Sequence, residues 1–404
     1  MPEDSRKPLV VVSPFNVANF QEGGGHFWVY MQYVLGLRHA GCDVYWLEQL
    51  SSSGNPAEDA ARVDPFLSQM QRFGLGEKTI LYTSHDGAAG APSQFFGLSA
   101  FQAETVFERA DLLLNFHYAV SPTLLQRFRR TALVDIDPGL LQFWISHGQL
   151  SVPAHDCYFS IGETVGTESA RFSDCGLEWH QIRPPICLQR WPFMFDRQAE
   201  AFTTVSNWDA DDWIVDEKEV YENTKRVSFL EFADLPRFTD QPLELALFLR
   251  TEKDAQERAA LEQRGWRIRP SREVAGTPES YQSYIWHSRG EFSCAKRSYL
   301  RFETAWVSDR TLCYLASGKP AVVQYTGVSS FLPNGDGLFR FSTLEQAVAA
   351  FQAINAEYEH HCRAARAIAE TYFDARQIAQ TILDRALLAR QPVETRLNQA
   401  TASG

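Results

Sequence analysis

Short apolar runs alternate with longer amphipathic stretches along the first half of the chain. Pro8 to Val12 reads PLVVV, a β-branched run typical of a buried parallel strand, and a turn-rich segment follows it. Phe27 to Ala40 predicts a helix that is apolar almost all round, with Gly41 placed to end it as a left-handed cap. The run CDVYWLE then predicts a second strand. This order of strand, helix and strand indicates a right-handed crossover in a parallel sheet.

The same alternation repeats through the rest of the chain. Further strand candidates are ADLLLNF, TALVDID, DCYFSIG, FTTVSNW, LELALFL, GWRIRP, SYIWHSRGEF, KPAVVQY and LFRFS. The pattern predicts an α/β protein with two Rossmann-like, doubly wound domains and C-terminal helices. We expect the first domain in residues 1–190, a linker in 191–200 after a proline-flanked stretch, and the second domain in 201–375. Residues 376–404 are predicted to form a C-terminal helix, able to pack back on the first domain, and a frayed tail.

Composition narrows the classes of partner. The formal charge of -12 argues against nucleic acid or an anionic lipid surface as the main partner, because both require basic surface. The sequence contains no run of about 18 uncharged apolar residues, so no transmembrane segment is expected. The polar start MPEDSRKP does not resemble a signal peptide, so a cytoplasmic protein is expected. The seven cysteines are scattered without Cys-x-x-Cys spacing, which indicates reduced buried thiols.

The glycine run before the first helix is open to three interpretations. Gly23 and Gly25 fit the first two places of a dinucleotide fingerprint, but Trp28 occupies the third place, which must be nearly free of side chain. In the second interpretation Gly23, Gly24 and Gly25 let the backbone approach a polar ligand, while N–H groups at the helix start attract negative charge. His26 then lies at the mouth of a cleft. The third interpretation is a tight turn without a ligand.

The segment from Tyr284 to Phe341 carries the more informative pattern. A strand leads into Ser288 to Phe292, a helix carries SDRTLCYLASGKP, and a glycine-punctuated loop ends in NGDGLF. Together with GGGHFWVYMQYVLGLRHAGCDV in the first half, these motifs resemble the GT-B glycosyltransferases. The second half is similar to the retaining group typified by glycogen synthase and the bacterial sucrose- and lipid-sugar synthases. The resemblance implies that the two domains face each other across a cleft, with a nucleotide-sugar donor in the second domain.

Site residues follow from this resemblance, motif by motif. Glu291 would touch the donor sugar, and the backbone from Gly290 to Phe292 would lie near the diphosphate. The residues assigned to donor binding are Arg250, Ser288, Gly290, Phe292, Asp309, Arg310 and Gly327. Those assigned to catalysis are Glu291 and Lys296, together with His26 and Asp137, which their own surroundings in the sequence suggest independently of the resemblance. Lysine and arginine are expected because the departing diphosphate carries negative charge.

One position departs from the family pattern. The resembled group places a second glutamate, which holds the ribose hydroxyls, where this chain has Cys313. Asp309 lies one helical turn earlier, and residues four apart share a helix face. Asp309 is therefore the substitute that the sequence offers.

A short acidic motif offers a different chemistry in the first half. Asp135-Ile-Asp137 spells the Asp-x-Asp with which glycosyltransferases of the other main fold hold a divalent ion. The two-domain pattern disagrees with that fold, so we assign no metal. Asp137 is instead expected to bind an acceptor hydroxyl, or to act as general base if the reaction inverts.

The leading hypothesis is a cytoplasmic glycosyltransferase. It would move a sugar from a nucleotide-diphosphate donor to a small-molecule or glycan acceptor, with retention and without a cofactor or a metal. The alternatives are a catalytically silent GT-B-like protein that binds a nucleotide or glycan, and a sugar-nucleotide epimerase. The sequence identifies neither the donor sugar, nor the acceptor, nor the oligomeric state.

Overall fold

The first half of the chain forms an eight-stranded sheet. The computed structural model describes residues 6–84, 92–208, 213–216, 219–250 and 252–388. The strands are β1 Leu9–Ser13, β2 Asp43–Gln49, β3 Thr79–Ser84, β4 Pro92–Gly97, β5 Leu112–Asn115, β6 Thr131–Asp135, β7 Cys157–Ser160 and β8 Trp179–Gln181. Their order is β4-β3-β2-β1-β5-β6-β7-β8. β4 pairs antiparallel with β3 at one edge, and the other neighbours pair in parallel.

The second half forms a six-stranded parallel sheet. Its strands, with a separate β10–β11 hairpin, are β9 Phe202–Asn207, β10 Trp213–Asp216, β11 Glu219–Glu222, β12 Leu243–Phe248, β13 Arg267–Pro270, β14 Gly290–Ser293, β15 Ala321–Gln324 and β16 Leu338–Phe341. The order β13-β12-β9-β14-β15-β16 reverses direction at β9, as in Rossmann-like sheets.

Helices cover both sheets. They are α1 Gly24–His39, α2 Pro56–Arg72, α3 Ala100–Arg109, α4 Pro122–Leu125, α5 Leu140–Ser146, α6 Lys225–Glu231, α7 Glu252–Glu262, α8 Ser271–Ala275, α9 Pro278–Trp286, α10 Arg297–Phe302, α11 Asp309–Ala316, α12 Leu344–Ala356, α13 Tyr358–Tyr372 and α14 Ala375–Leu388. The predicted fold class, two Rossmann-like α/β domains with C-terminal helices, is confirmed. None of the helices in the described ranges is long and apolar enough to cross a bilayer.

One predicted strand is a helix. The run SYIWHSRGEF was expected to be a strand, but Ser283 to Trp286 belong to α9 and the strand begins only at Gly290. Thr277 caps α9 by accepting a hydrogen bond from the backbone N–H of Ser280, and Pro278 occupies the first helical position. Both features favour a helix start, and this local signal overrides the aromatic, strand-like composition.

Helix α1 is buried on several sides, which explains its lack of a polar face. It packs on its own sheet, on α14 and on α9 of the second domain. A Cβ atom built on Gly24 would lie 2.2 Å from the Thr277 carbonyl oxygen and 2.6 Å from that of Ala275. The Trp28 indole N–H donates to the Pro278 carbonyl at 2.9 Å. The first turn of α1 therefore lies directly against the backbone of the second domain. Gly41, with φ of +94°, follows the helix as predicted.

The chain crosses between the two sheets twice, and the two crossings are hydrogen-bonded to each other. The Ile186 N–H donates to the Phe373 carbonyl at 2.7 Å, and the Ala375 N–H donates to the Ile186 carbonyl at 3.0 Å. Beyond this point α14 packs on α1, where Gly36 lets the Ala375 carbonyl come close. The frayed tail expected after α14 lies outside the described residues.

We expect Gly24→Ala to destabilise the protein. Alanine is favoured over glycine in a helix by about 1 kcal/mol, so the substitution would be stabilising if the space were open. The added methyl group instead meets two backbone carbonyls, and overpacking of this kind costs about 1–3 kcal/mol. Scanning calorimetry should show a lower unfolding temperature than wild type.

Gly148→Asn is the matched control for this substitution. Gly148 has a left-handed backbone, φ of +66°, which asparagine tolerates, and nothing lies within 4 Å of an added Cβ. An unfolding temperature for Gly24→Ala equal to or above that of this control would contradict the close-approach interpretation.

Candidate functional site

A cleft of about 410 Å³ lies between the two sheets, at the carboxyl ends of their parallel strands. From the first domain it is lined by residues that follow β1, β6 and β7, and from the second by the end of β9. Ligands of doubly wound sheets bind at this edge, because the loops that leave the strands converge there. Eight of the predicted site residues line the cleft: Gly23, Gly24, Gly25, His26, Asp137, Lys296, Asp309 and Arg310.

A buried arginine is fixed at the base of the cleft. Arg310, the second residue of α11, donates through Nε to the Glu291 carboxylate at 2.7 Å and through Nη1 to the Val205 carbonyl at 2.7 Å. It also donates to the Ser293 hydroxyl. Glu291 is fully buried in the middle of β14. Glu291 therefore holds Arg310 rather than reaching a ligand, which corrects the expectation that it touches the donor sugar.

Two lysines lie beside this arginine. Lys225 begins α6 and Lys296 precedes α10, and both line the cleft. Burial, together with the nearby charges of Arg310 and Lys296, lowers the pKa of Lys225 to about 7, although Asp309 opposes the shift. The Lys225 ammonium lies 5.6 Å from the centre of the Trp306 ring. The cleft thus holds three basic groups close together on the second domain, where an anion would relieve their mutual repulsion.

Sequence reasoning missed Lys225. It follows Thr224, an ordinary start for a helix, after a hairpin that carries no recognisable motif. Only the fold brings it to Lys296 and Arg310, which lie more than 70 residues further along the chain. No signal in the local sequence marks it.

Asp309 and Cys313 lie one turn apart on α11, and of the two only Asp309 lines the cleft. The Asp309 side chain lines the cleft, and burial raises its pKa while Lys225 and Arg310 oppose the shift. Cys313 is buried, and its Sγ lies 3.4 Å from the Asp309 carbonyl oxygen. The residue that departs from the family pattern therefore lies behind the cleft wall.

His26 faces the cleft from the first turn of α1. Its Nε2 lies 2.8 Å from the Phe15 carbonyl oxygen. A carbonyl can only accept, so Nε2 carries the proton and Nδ1 keeps its lone pair in the neutral ring. Burial lowers the pKa of His26, although the bond to Phe15 and the charge of Asp137 oppose the shift. His26 is therefore neutral at pH 7 and has a basic nitrogen to offer.

The two aspartates of the Asp-x-Asp motif have different surroundings. Asp135 is fully buried, and its carboxylate accepts from Gln142 at 2.9 Å and Ser160 at 2.8 Å. Burial raises its pKa to about 6. Asp137 lines the cleft and accepts a hydrogen bond from the Tyr299 hydroxyl at 2.9 Å. Asp135 thus anchors the end of β6, and Asp137 joins the first domain to α10 of the second.

Two of the three glycines, Gly24 and Gly25, serve the contact between the domains. Gly24 lies against the backbone of residues 275–277. An added Cβ atom on Gly25 would lie 2.7 Å from the Tyr281 ring, and one on Gly23 would lie 2.5 Å from the Phe20 ring. These glycines line the cleft, but protein atoms fill the space that their missing side chains leave. The missing side chains are thus explained by packing, and the approach of a ligand to their backbone N–H groups stays a prediction.

Five other predicted donor residues lie away from the cleft lining. Ser288 and Gly290 precede or begin β14, at the amino edge of the sheet, and Phe292 is in the core of the second domain. Gly327 packs on the Glu303 backbone, and Arg250 is exposed, with its guanidinium 4.8 Å from the centre of the Phe248 ring. A strand was expected to lead into Ser288–Phe292, but a helix precedes this motif and β14 begins within it, so the opposite end of the strand faces the cleft. The position of the motif therefore does not support direct contact with the donor.

An apolar side pocket of about 490 Å³ opens next to the cleft on the first domain. Asp137 stands at the boundary, since it lines both cavities. The side pocket is walled mainly by aromatic and aliphatic side chains, namely Phe15, Tyr30, Phe116, His117, Tyr118, Ala119, Ile136, Trp144, Gln149 and Leu150. Burial lowers the pKa of His117 to about 4, so this ring is neutral at pH 7.

Solved structures resemble this chain over nearly its whole length. A sucrose-phosphate synthase from Thermosynechococcus elongatus aligns with a TM-score of 0.57 and 13% identity, over 95% of this chain and 100% of that one. HepE of Anabaena in complex with UDP-glucose gives 0.56 and 11%, over 93% and 98%. An alpha-glucosyltransferase in complex with UDP-glucose and DNA containing an abasic site gives 0.55 and 8%, over 94% and 99%.

No protein-family model and no curated protein matches the sequence. At sequence identities of 8–13%, the structural similarity supports a shared fold. The alignments extend over nearly the whole of this chain and of each of those three. The resemblance read from the motifs is thus confirmed at the level of architecture: the chain has the GT-B fold of nucleotide-sugar glycosyltransferases.

Proposed function

We propose that this protein is a glycosyltransferase that takes a sugar from a nucleotide-diphosphate donor in the cleft between its domains. The observation that carries the proposal is the group of Lys225, Lys296 and Arg310 on the second-domain wall of the cleft. Three cations on a shared, partly dehydrated surface fit a diphosphate better than a neutral ligand. The UDP-glucose complexes of HepE and of the alpha-glucosyltransferase support a uridine diphosphate sugar as the first donor to test.

The reaction needs stabilisation of the departing diphosphate. As the bond from the sugar to the phosphate oxygen breaks, negative charge accumulates on that oxygen. Arg310 is held rigidly by Glu291, so it is already oriented when this charge develops. Following the resemblance, we propose that the sugar keeps its anomeric configuration and that these cations act without an obligatory metal.

His26 and Asp137 face the donor cations from the opposite wall. Asp137 is at the entrance of the apolar side pocket, where it can accept a hydrogen bond from an acceptor hydroxyl. His26 offers Nδ1 as a base within the same cleft. We assign the side pocket to the acceptor. Among its described lining residues Asp137 is the only acidic side chain and His117 is kept neutral by burial, so an uncharged acceptor with an aromatic or aliphatic part fits best.

Lys296→Met should weaken UDP-glucose binding by about tenfold or more, because a charge-assisted hydrogen bond contributes about 1.5–3 kcal/mol. Isothermal titration calorimetry measures the effect directly. Arg297→Met is the matched control, since the neighbouring Arg297 is exposed and lies 3.6 Å from Glu231. Equal affinities of the two variants would contradict the donor assignment.

The affinity for UDP-glucose should fall as pH rises from 6 to 8.5. In the protein without ligand the pKa of Lys225 is about 7. The negative charge of a bound diphosphate raises this pKa, so binding is accompanied by uptake of a proton. Affinity is therefore highest below pH 7 and decreases above it. In Lys225→Met the affinity should be lower and its pH dependence flatter. If the affinity of this variant changed with pH as steeply as that of wild type, the titrating group would not be Lys225.

His26→Ala should slow transfer by about 100-fold or more while UDP-glucose affinity changes little, because a positioned base contributes to the chemical step. Turnover is measured as UDP release with a panel of phenols and monosaccharides. His39→Ala, an exposed histidine in the last turn of the same helix, is the control.

The outcomes of this assay also separate the alternative functions. Transfer to monosaccharides but not to phenols would contradict the assignment of the side pocket to the acceptor. Binding of UDP-glucose without transfer to any acceptor would identify a silent GT-B-like protein. Isomerised donor without UDP release would identify an epimerase.

A further inference from the structure

The glycine-rich loop NGDG has no place in the proposed reaction. This loop, residues 334–337, leads into β16 and therefore lies at the amino edge of the second sheet. The cleft lies at the opposite, carboxyl edge. The loop instead packs on α13: a Cβ atom on Gly337 would lie 2.4 Å from the Ala365 backbone nitrogen. This close approach brings Asp336 to the first turn of α13, next to two consecutive histidines.

Three side chains from the two segments converge on one point. The Asp336 Oδ1 atom lies 2.8 Å from Nε2 of His360 and 3.4 Å from Nδ1 of His361. All three atoms lie within 4.8 Å of one another. The His361 ring is buried and is oriented by an edge contact with Phe339, at 5.3 Å between ring centres.

The hydrogen bonds orient both imidazoles toward the loop. The Gly337 N–H donates to Nδ1 of His361 at a long 3.4 Å, so this nitrogen is unprotonated. Nε2 of His360 lies 2.8 Å from the Asp336 Oδ1 atom and donates to it in the ion-free arrangement. A bound ion would take the place of these two hydrogen bonds, using one nitrogen of each ring and the carboxylate oxygen as ligands.

We propose that Asp336, His360 and His361 form a binding site for a divalent transition-metal ion, with Zn²⁺ as the best fit. Two imidazole nitrogens and one carboxylate oxygen are a ligand set that zinc accepts, with a water completing the tetrahedron. Bond lengths near 2.0–2.1 Å place tetrahedral ligand atoms about 3.3 Å apart, close to the 2.8 and 3.4 Å found around Asp336.

The position of the site defines its role. It joins the loop before β16 to the first turn of α13, and both segments belong to the second domain. Since the site lies at the sheet edge away from the cleft, the ion contributes to the stability of the second domain rather than to sugar transfer.

The test is a zinc titration of the full chain, with any affinity tag removed and after treatment with EDTA. We expect one equivalent of Zn²⁺ to bind with a dissociation constant in the micromolar range or below, and to raise the unfolding temperature. Asp336→Asn and His360→Ala should each weaken binding by about tenfold or more. Both residues are more than half exposed, so their replacement should leave the metal-free fold intact.

His39→Ala, which removes an exposed histidine of α1 in the first domain, should bind zinc like wild type. The absence of stoichiometric zinc binding would overturn the proposal and leave an ion pair of one aspartate with two histidines. Zinc binding that survives either Asp336→Asn or His360→Ala would also overturn it. Mg²⁺ should not compete, because hard cations prefer oxygen ligands.

Discussion

The close approach of α1 to the backbone of the second domain is the constraint on which the rest of the structure depends. A helix can lie against carbonyl groups at this distance only where it has no side chain, and Gly24 provides that surface. The same helix packs on α14, which returns from the second domain, and its first turn positions His26 in the cleft. The contact between the domains, the packing of α14 and one wall of the site therefore all depend on α1. Because α1 is covered on these several sides, it has no polar face.

A second constraint is the buried pair of Glu291 and Arg310. Placing a charge in a protein interior is costly unless a partner compensates it, and removing one partner of such a pair typically costs about 3–5 kcal/mol. Here the carboxylate is entirely enclosed, while the guanidinium extends to the cleft. The pair therefore gives the cleft a cation whose direction is fixed by the sheet. Arginine suits this position because it stays charged even when buried.

The sequence predicted the fold class better than the site. Runs of β-branched residues located β1, β6 and β15, because such patterns reflect local burial. The site depends on which end of a strand faces the cleft, and a motif does not record this direction. Ser288 was expected after a strand but precedes one, and Glu291 was expected to touch the donor sugar although its carboxylate is buried against Arg310. Lys225 belongs to the site through the fold alone.

The paired crossings at Ile186 and Phe373 have a mechanical consequence. Two connections that are hydrogen-bonded side by side form a narrow strip rather than a single flexible tether. Twisting or sliding one domain against the other would break the bonds between the two halves of this strip. The crossing point therefore keeps the two walls of the cleft in register, in addition to the contact that α1 makes with the second domain.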